Sequence, residues 1–206
     1  RNHGQSPHDP DSSYQAMVAD VLRLLDVHGI AAATLVGHSM GGKVAMQLAL
    51  SCPQRTSGLA VVDMAPVRYR HNFNDVLAGF RSVDLTAIRN RADADAQMAG
   101  TVGLAGVRAF LLQNLVKTPD GWDWRLNLDA LASGQAGILG FPSQPGTAAY
   151  GRPVGFIYGE LSDYVTQAYE PEIRRLFPAA TLCQVAQAGH WVYAEQPRGF
   201  MACLDA

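Results

Sequence analysis

The chain has 206 residues, of which 48% are hydrophobic and 17% are charged, and its formal net charge is −2. This length and apolar content suit a globular protein with one substantial core and at most a small second lobe. The near balance of charge leaves no basic field for nucleic acid or an anionic membrane surface, and no apolar run approaches the ~18 residues of a membrane span.

Three cysteines, Cys52, Cys183 and Cys203, are odd in number and lie far apart. They match neither a metal-binding spacing nor a disulfide framework. Together with a polar N-terminus, they favour a reducing compartment: the cytoplasm, or the mitochondrial matrix if the source is eukaryotic. The chain begins at Arg1, so we expect that processing or truncation removed what preceded it. No pattern in the sequence predicts a metal ion or a cofactor.

The first predicted elements alternate between helix and strand. A polar, turn-rich loop over residues 1–10 precedes a helix that Ser12 or Ser13 can cap. Short apolar strands are predicted over residues 33–36 and 59–62, with a second helix between them. Helix and strand in such close succession predict an α/β fold.

The turn after the first strand carries the pattern Gly37-x-Ser39-x-Gly41. Apolar residues at helical spacing follow it, and strand, sharp turn and helix together form the setting of a nucleophile elbow. We therefore interpret Ser39 as the nucleophile. The backbone N–H of Met40, at the start of the helix, is the expected donor to the oxyanion that forms when Ser39 attacks a carbonyl. We expect the neighbouring His38 to have a packing role.

A phosphate-binding loop is the competing interpretation of this turn, because Gly37-x-x-x-x-Gly42-Lys43 fits most of its pattern. The next residue is Val44, whereas the loop needs a Ser or Thr hydroxyl there to hold Mg²⁺. Nucleotide hydrolysis therefore stays a minor alternative.

After about residue 67 the alternation stops, and helical segments follow one another without intervening strands. This pattern indicates an inserted helical cap, and the Gly, Ala, Ser and Pro residues over 132–151 indicate a linker that returns to the core. The segments predicted in between are helices over residues 73–83, 85–96 and 107–116 and an extended stretch over residues 122–128.

The α/β alternation resumes beyond this insertion. Strands are predicted over residues 153–159 and 181–185, with a helix over residues 170–177 between them. A last helix is predicted over residues 192–204, interrupted or restarted at Pro197.

His190 lies in the loop beyond the last predicted strand. Loops at the carboxyl ends of parallel strands share one rim of an open sheet, so His190 can meet Ser39 there. The chain order, Ser first and His later, suits a base that takes the proton from Ser39.

Four motifs occur along the chain in the order in which the α/β-hydrolase superfamily has them, and through these motifs the chain resembles that superfamily. More narrowly, with the segment Phe110-Leu111-Leu112-Gln113-Asn114-Leu115, it resembles bacterial acyl esterases and thioesterases related to the mitochondrial α/β-hydrolase-domain-containing proteins. The four motifs are Arg1-Asn2-His3-Gly4-x-Ser6, Gly37-His38-Ser39-Met40-Gly41-Gly42-Lys43, Val62-Asp63-Met64-Ala65-Pro66 and Ala188-Gly189-His190-Trp191.

The resemblance implies a mostly parallel sheet flanked by helices. Residues 1–66 and 152–206 would form the α/β-hydrolase core, with a helical cap inserted at residues 67–151. It also implies further N-terminal strands before Arg1 and a His-Gly loop that supplies the second oxyanion N–H. We therefore expect this chain to lack half of the oxyanion hole and a neighbour of the strand that carries Ser39.

The acid that orients His190 has two candidates. Most α/β-hydrolases place it in a Gly-x-x-Asp-like loop after the strand that follows the cap, but here that position is Ser162 and Asp163 comes one residue late. The similar esterases have an aspartate in the Asp-Met-Ala-Pro setting of Asp63, on the same rim as the nucleophile. The resemblance therefore favours Asp63, with Asp163 as the alternative.

The predicted reaction is acyl transfer from a small-molecule ester or thioester to Ser39 and then to water. A serine nucleophile argues against haloalkane and epoxide hydrolysis, for which this fold uses an aspartate. Two other classes of function stay open. One is a non-catalytic binding module on the hydrolase fold, and the other is C–C bond hydrolysis or haloperoxidase-like activity.

Overall fold

The structure, a computed structural model, describes residues 1–143 and 146–206. Contacts divide the chain into two compact units. In this division residues 1–12 are grouped with the helical unit, whereas the resemblance implies that residues 1–66 belong to the core. The α/β unit consists of Ser13–Arg68 and Gly140–Ala206, and the helical unit consists of Arg1–Ser12 and Tyr69–Leu139.

The α/β unit opens with the predicted alternation of helix and strand. Helix α1 (Tyr14–Val27) is capped by Ser13, whose side-chain oxygen accepts a hydrogen bond from the Ala16 N–H at 3.2 Å. This bond satisfies one of the donors that a helix N-terminus leaves unpaired. The next elements are strand β1 (Ala33–His38), helix α2 (Met40–Ser51) and strand β2 (Thr56–Val62).

The helical unit packs around its own apolar core. The rings of Phe80 and Trp124 meet edge to face with centroids 4.8 Å apart, and Met98 and Leu115 are fully buried beside them. The elements are helices α3 (Asn74–Ser82), α4 (Arg91–Met98) and α5 (Ala105–Leu111), the antiparallel strands β3 (Leu115–Thr118) and β4 (Gly121–Trp124), and helix α6 (Leu128–Leu139).

Two helix predictions for this unit are wrong in their bounds. The helix predicted over residues 85–96 begins only at Arg91, because the Asn90 side chain accepts hydrogen bonds from the N–H groups of the first turn and caps it there. The helix predicted over residues 107–116 ends at Leu111, and a short 3₁₀ turn leads from it into β3. The helix predicted over residues 73–83 is confirmed as α3.

The other two predictions for this region also need correction. The extended stretch predicted over residues 122–128 is the strand β4 alone, since α6 already begins at Leu128. The linker predicted over residues 132–151 is helical as far as Leu139, because Ala and Leu favour a helix more than the intervening Gly and Ser oppose it. Positions 144 and 145 of that linker lie outside the described residues.

The α/β unit resumes as predicted. Pro197 lies at the first position of the last helix, so the predicted segment 192–204 is two helices. Among the described helices, none is both long and apolar enough to cross a membrane. The elements are strand β5 (Val154–Gly159), helix α7 (Glu170–Leu176), strand β6 (Ala180–Val185), and helices α8 (Val192–Glu195) and α9 (Pro197–Leu204).

Four of the strands form one parallel sheet in the order β1-β2-β5-β6. Val62 is paired with His38 on one side and with Ile157 on the other, so the carboxyl ends of these strands lie side by side. The loops that follow them share that edge, and ligands of open α/β sheets bind there.

Cys183 and Cys203 form a disulfide, which the sequence analysis did not expect. Cys183 lies on β6 and Cys203 on α9, with their Cα atoms 5.8 Å apart. The pairing depends on the packing of α9 against the apolar cluster around Val185 and Val192, which a spacing along the chain does not reveal. Cys52 is a free thiol. The cysteines therefore no longer argue for a reducing compartment.

Removing this disulfide is expected to lower the free energy of unfolding by about 3 kcal/mol, because the bond closes a loop in the unfolded chain over a separation of 20 residues. Urea unfolding of Cys183→Ser/Cys203→Ser against the parent measures the loss. Cys52→Ser is the matched control and should change the free energy far less. Equal stability of the double variant and the parent would contradict the prediction.

Candidate active site

Ser39 lies in a sharp turn between β1 and α2. Its backbone has φ 54° and ψ −124°, a conformation that residues other than glycine rarely adopt. The Ser39 N–H donates to the Val62 carbonyl at 3.1 Å, which ties the turn to β2. A Cβ atom at Gly37 would lie 2.4 Å from the Gly41 carbonyl oxygen, so the close approach of strand and helix requires glycine there.

The structure brings Ser39, His190 and Asp63 into one hydrogen-bonded chain. His190 Nε2 lies 3.1 Å from Ser39 Oγ, and His190 Nδ1 lies 2.7 Å from Asp63 Oδ2. Because an ionised carboxylate can only accept, the hydrogen of the neutral ring lies on Nδ1 and Nε2 is free to accept the serine hydroxyl. The Asp63 side chain is fully buried and that of His190 is 22% exposed, so the imidazole borders solvent.

The Asp63 carboxylate is fixed from several sides. Oδ1 accepts from the Gly159 N–H at 3.1 Å, and Oδ2 accepts from the Ser162 hydroxyl at 2.5 Å as well as from His190. Its own N–H donates to the Ile157 carbonyl at 2.8 Å. These bonds, made mainly by β5 and the loop after it, hold the oxygen that faces the imidazole.

Asp163, the alternative acid, is not part of this chain of hydrogen bonds. Its side chain is exposed and forms no hydrogen bond or ion pair with the residues that the structure describes. Ser162, one residue earlier, donates its hydroxyl to Asp63 instead.

The loop that carries His190 has partners that the sequence analysis missed. The Glu195 carboxylate accepts hydrogen bonds from the N–H groups of Gly189 and Trp191 at 2.6 and 3.2 Å. A carboxylate in the first turn of the short helix α8 is the one signal in the sequence that could have indicated such a cap. The loop also lies too close to β5 for a side chain at Gly159, whose Cβ atom would meet the Gly189 carbonyl oxygen at 2.3 Å.

Aromatic rings border the imidazole of His190. The Tyr164 ring stacks on it with a centroid distance of 4.2 Å and an interplanar angle of 26°, and the Trp191 ring meets it edge to face. Burial, with the Asp63 charge nearby, raises the pKa of Tyr164, so its phenol stays neutral. His38 was expected to pack only, but its Nε2 lies 2.8 Å from the His190 carbonyl oxygen.

Helix α2 begins at Met40, the residue that directly follows Ser39. Met40 is the first residue of this 12-residue helix, where backbone N–H groups have no partner within the helix. The aligned peptide dipoles add a partial positive charge at that end.

Lys43, the fourth residue of α2, is buried and does not face this site as a phosphate-binding lysine would. Its Nζ donates to the Gly140 carbonyl at 2.7 Å and lies 5.9 Å from the centre of the Tyr14 ring. Burial, with the Arg68 charge adding to it, lowers the pKa of Lys43 to about 7. With Val44 in the magnesium position, this contact argues against the nucleotide alternative. Within residues 1–143 and 146–206, no three His, Cys, Asp or Glu side chains are grouped to hold a metal ion.

The sequence is similar to known proteins along nearly its whole length. Residues 1–197 match the family of the α/β hydrolase fold. The chain is 44% identical to the sn-1-specific diacylglycerol lipase ABHD11 of Mus musculus over 212 residues, which cover 100% of this chain and 68% of that protein. It is 38% identical to the esterase YbfF of Escherichia coli (strain K12) over 205 residues, which cover 99% of this chain and 78% of that protein.

The fold is similar to that of solved structures. A marine microorganism esterase superposes with a TM-score of 0.94 at 31% sequence identity, covering 100% of this chain and 81% of the esterase. The chain spans about two thirds of the length of its ABHD11 relatives. The similarity thus includes every described element that carries the site.

Proposed function

The chain belongs to the α/β hydrolase fold family, and from that premise we propose that it cleaves carboxylic esters or acyl thioesters through an acyl-enzyme on Ser39. Relatives named as esterases and lipases support ester cleavage. The extension to thioesters, and the roles of individual residues, are our proposal. We also propose that residues 69–139 of the helical unit are the cap insertion, for which the sequence pattern predicts residues 67–151.

The observation that carries the proposal is the hydrogen-bonded chain from Asp63 through His190 to Ser39. In this reaction Ser39 Oγ attacks the carbonyl carbon while its proton passes to His190 Nε2. The buried Asp63 carboxylate stabilises the imidazolium through Nδ1–H. The imidazolium then protonates the leaving alcohol or thiol, and an acyl group remains on Ser39.

Hydrolysis of the acyl-enzyme repeats these proton transfers with water as the nucleophile. His190 takes a proton from the water as it attacks the acyl carbon, and returns it to Ser39 when the carboxylic acid leaves. In both halves the Met40 N–H is the proposed donor to the oxyanion. One such donor typically contributes ~10²- to 10³-fold in turnover.

Turnover of two matched substrate series tests this function: p-nitrophenyl esters and acyl-CoA thioesters of increasing acyl length. We expect hydrolysis within at least one series, with a burst of p-nitrophenol when deacylation is the slower step. The chain-length preference and the ratio of oxygen to sulfur esters then define the substrate class. A folded protein that binds these substrates but turns over none of them would instead be a binding module on the hydrolase fold.

A further inference from the structure

We propose that His38 is a positioning residue for the catalytic base: its imidazole holds the backbone carbonyl of His190 and thereby fixes His190 relative to the nucleophile. The inference rests on the proposed serine hydrolase function. It assigns to His38 a role beyond the packing that the sequence suggested.

The contact is a directed hydrogen bond between neighbouring parts of the site. His38 Nε2 lies 2.8 Å from the His190 carbonyl oxygen, across a sequence separation of 152 residues. A carbonyl can only accept, so Nε2 carries the hydrogen and Nδ1 of His38 is unprotonated in the neutral ring. The tautomer of His38 is therefore set by this bond.

The position of His38 in the chain makes the bond relevant to the reaction. His38 is the last residue of β1 and directly precedes Ser39, so the strand that carries the nucleophile also holds the backbone of the base. Among the hydrogen bonds of the described residues, this is the one that links the His190 backbone to β1. Three other backbone groups of the loop have partners elsewhere: Glu195 accepts from two N–H groups, and the Leu161 N–H donates to the Ala188 carbonyl.

The surroundings of His38 keep its ring neutral beside a base that becomes charged. Burial lowers the pKa of His38 and the neighbouring His190 lowers it further, although the hydrogen bond to the His190 carbonyl and the Asp63 charge act in the opposite direction. The two imidazole centroids are 4.6 Å apart, and Tyr193 meets His38 edge to face at 5.2 Å. A neutral His38 can therefore hold the backbone without opposing the imidazolium that forms on His190.

Two substitutions of similar length separate the hydrogen bond from the packing. His38→Gln keeps an amide N–H donor in reach of the carbonyl, whereas His38→Met fills similar space without a donor. We expect His38→Met to lower kcat by ~10- to 100-fold with KM within about threefold, since a small displacement of a catalytic group can cost about 10² in rate. His38→Gln should stay within about threefold of the parent in both constants.

The controls separate positioning from stability. His28→Gln and His28→Met make the same changes at an exposed histidine and should leave kcat unaltered. Thermal unfolding of all variants shows whether a loss of kcat follows a loss of folded protein. If His38→Met does not fold, His38→Leu replaces it in the same assays. A Gln variant as impaired as the donor-free variant, or a donor-free variant as active as the parent, would overturn the inference.

A readout that needs no turnover distinguishes this inference from the proposed function. The Nδ1 proton of His190, hydrogen-bonded to Asp63, can be followed by NMR in the Ser39→Ala background. With His38 unchanged, and with His38→Gln, we expect this signal to be present in the Ser39→Ala background. With the donor-free His38→Met we expect it to be broadened or lost. An unchanged signal there, with Asp63→Asn removing it, would refute the role of His38 whether or not the protein hydrolyses esters.

Discussion

Replacing Ser39 by alanine is expected to lower kcat by about 10⁶-fold, to the residual rate that binding and oxyanion stabilisation alone provide. Alanine offers no atom to form the acyl-enzyme, and His190 Nε2 loses the hydroxyl that lies 3.1 Å away. The buried Asp63–His190 pair does not depend on the hydroxyl, so the variant should fold as the parent does. Its kcat on the best p-nitrophenyl ester measures the effect.

Covalent labelling tests whether Ser39 is the nucleophile without the choice of an ester substrate. A fluorophosphonate probe should label the parent on Ser39 and leave Ser39→Ala unlabelled. Ser162→Ala is the matched control, since Ser162 borders the same site but its hydroxyl donates to Asp63. It should still take the label, and its labelling rate is compared directly with that of the parent. Persistent labelling of Ser39→Ala would remove Ser39 from the mechanism.

Neutralising Asp63 is expected to have the next largest effect. Asp63→Asn should lower kcat by ~10⁴-fold, the loss seen when the acid of a Ser-His-Asp triad is neutralised in place. If the asparagine turns its amide N–H toward His190 Nδ1, Nδ1 must accept and the ring hydrogen lies on Nε2. Nε2 then faces the serine hydroxyl as a donor and cannot accept its proton. The amide oxygen then takes the place of Oδ1 and can still accept from the Gly159 N–H, so much of the local geometry should survive.

The rival acid supplies the control for this prediction. Asp163 is exposed and lies outside the hydrogen-bonded chain, so Asp163→Asn should change kcat by no more than about twofold. Both variants should be assayed across pH with the unfolding of each followed in parallel. If Asp163→Asn costs more than Asp63→Asn, our assignment of the acid is wrong.

The elbow could be predicted from sequence because its constraint is local. Strand, turn and helix are consecutive, and the close approach at Gly37 admits only glycine, so the pattern itself carries the geometry. The α/β alternation was predictable for a similar reason, since buried strands and amphipathic helices have different apolar periods. The position of Asp63 on the rim followed from the end of β2.

The parts that sequence could not fix depend on distant contacts. Whether Asp63 or Asp163 faces His190 is decided by the turn after β5, where a single residue changes the direction of a side chain. The Cys183–Cys203 pair and the His38–His190 bond join residues that share no recognisable spacing. In the helical unit, apolar periodicity predicted a helix that starts at residue 85, whereas the Asn90 cap sets its start at Arg91.

The four neighbouring parallel strands also determine the spacing between the residues of the site. Ser39, Asp63, Ser162 and His190 each follow a different strand, and strands in a sheet lie about 4.8 Å apart whatever their side chains. Backbone hydrogen bonds therefore set the spacing on which the site is built, and most core residues can be exchanged without disturbing it. A superposition with a TM-score of 0.94 at 31% identity is consistent with this: most side chains can differ while the arrangement of the strands is kept.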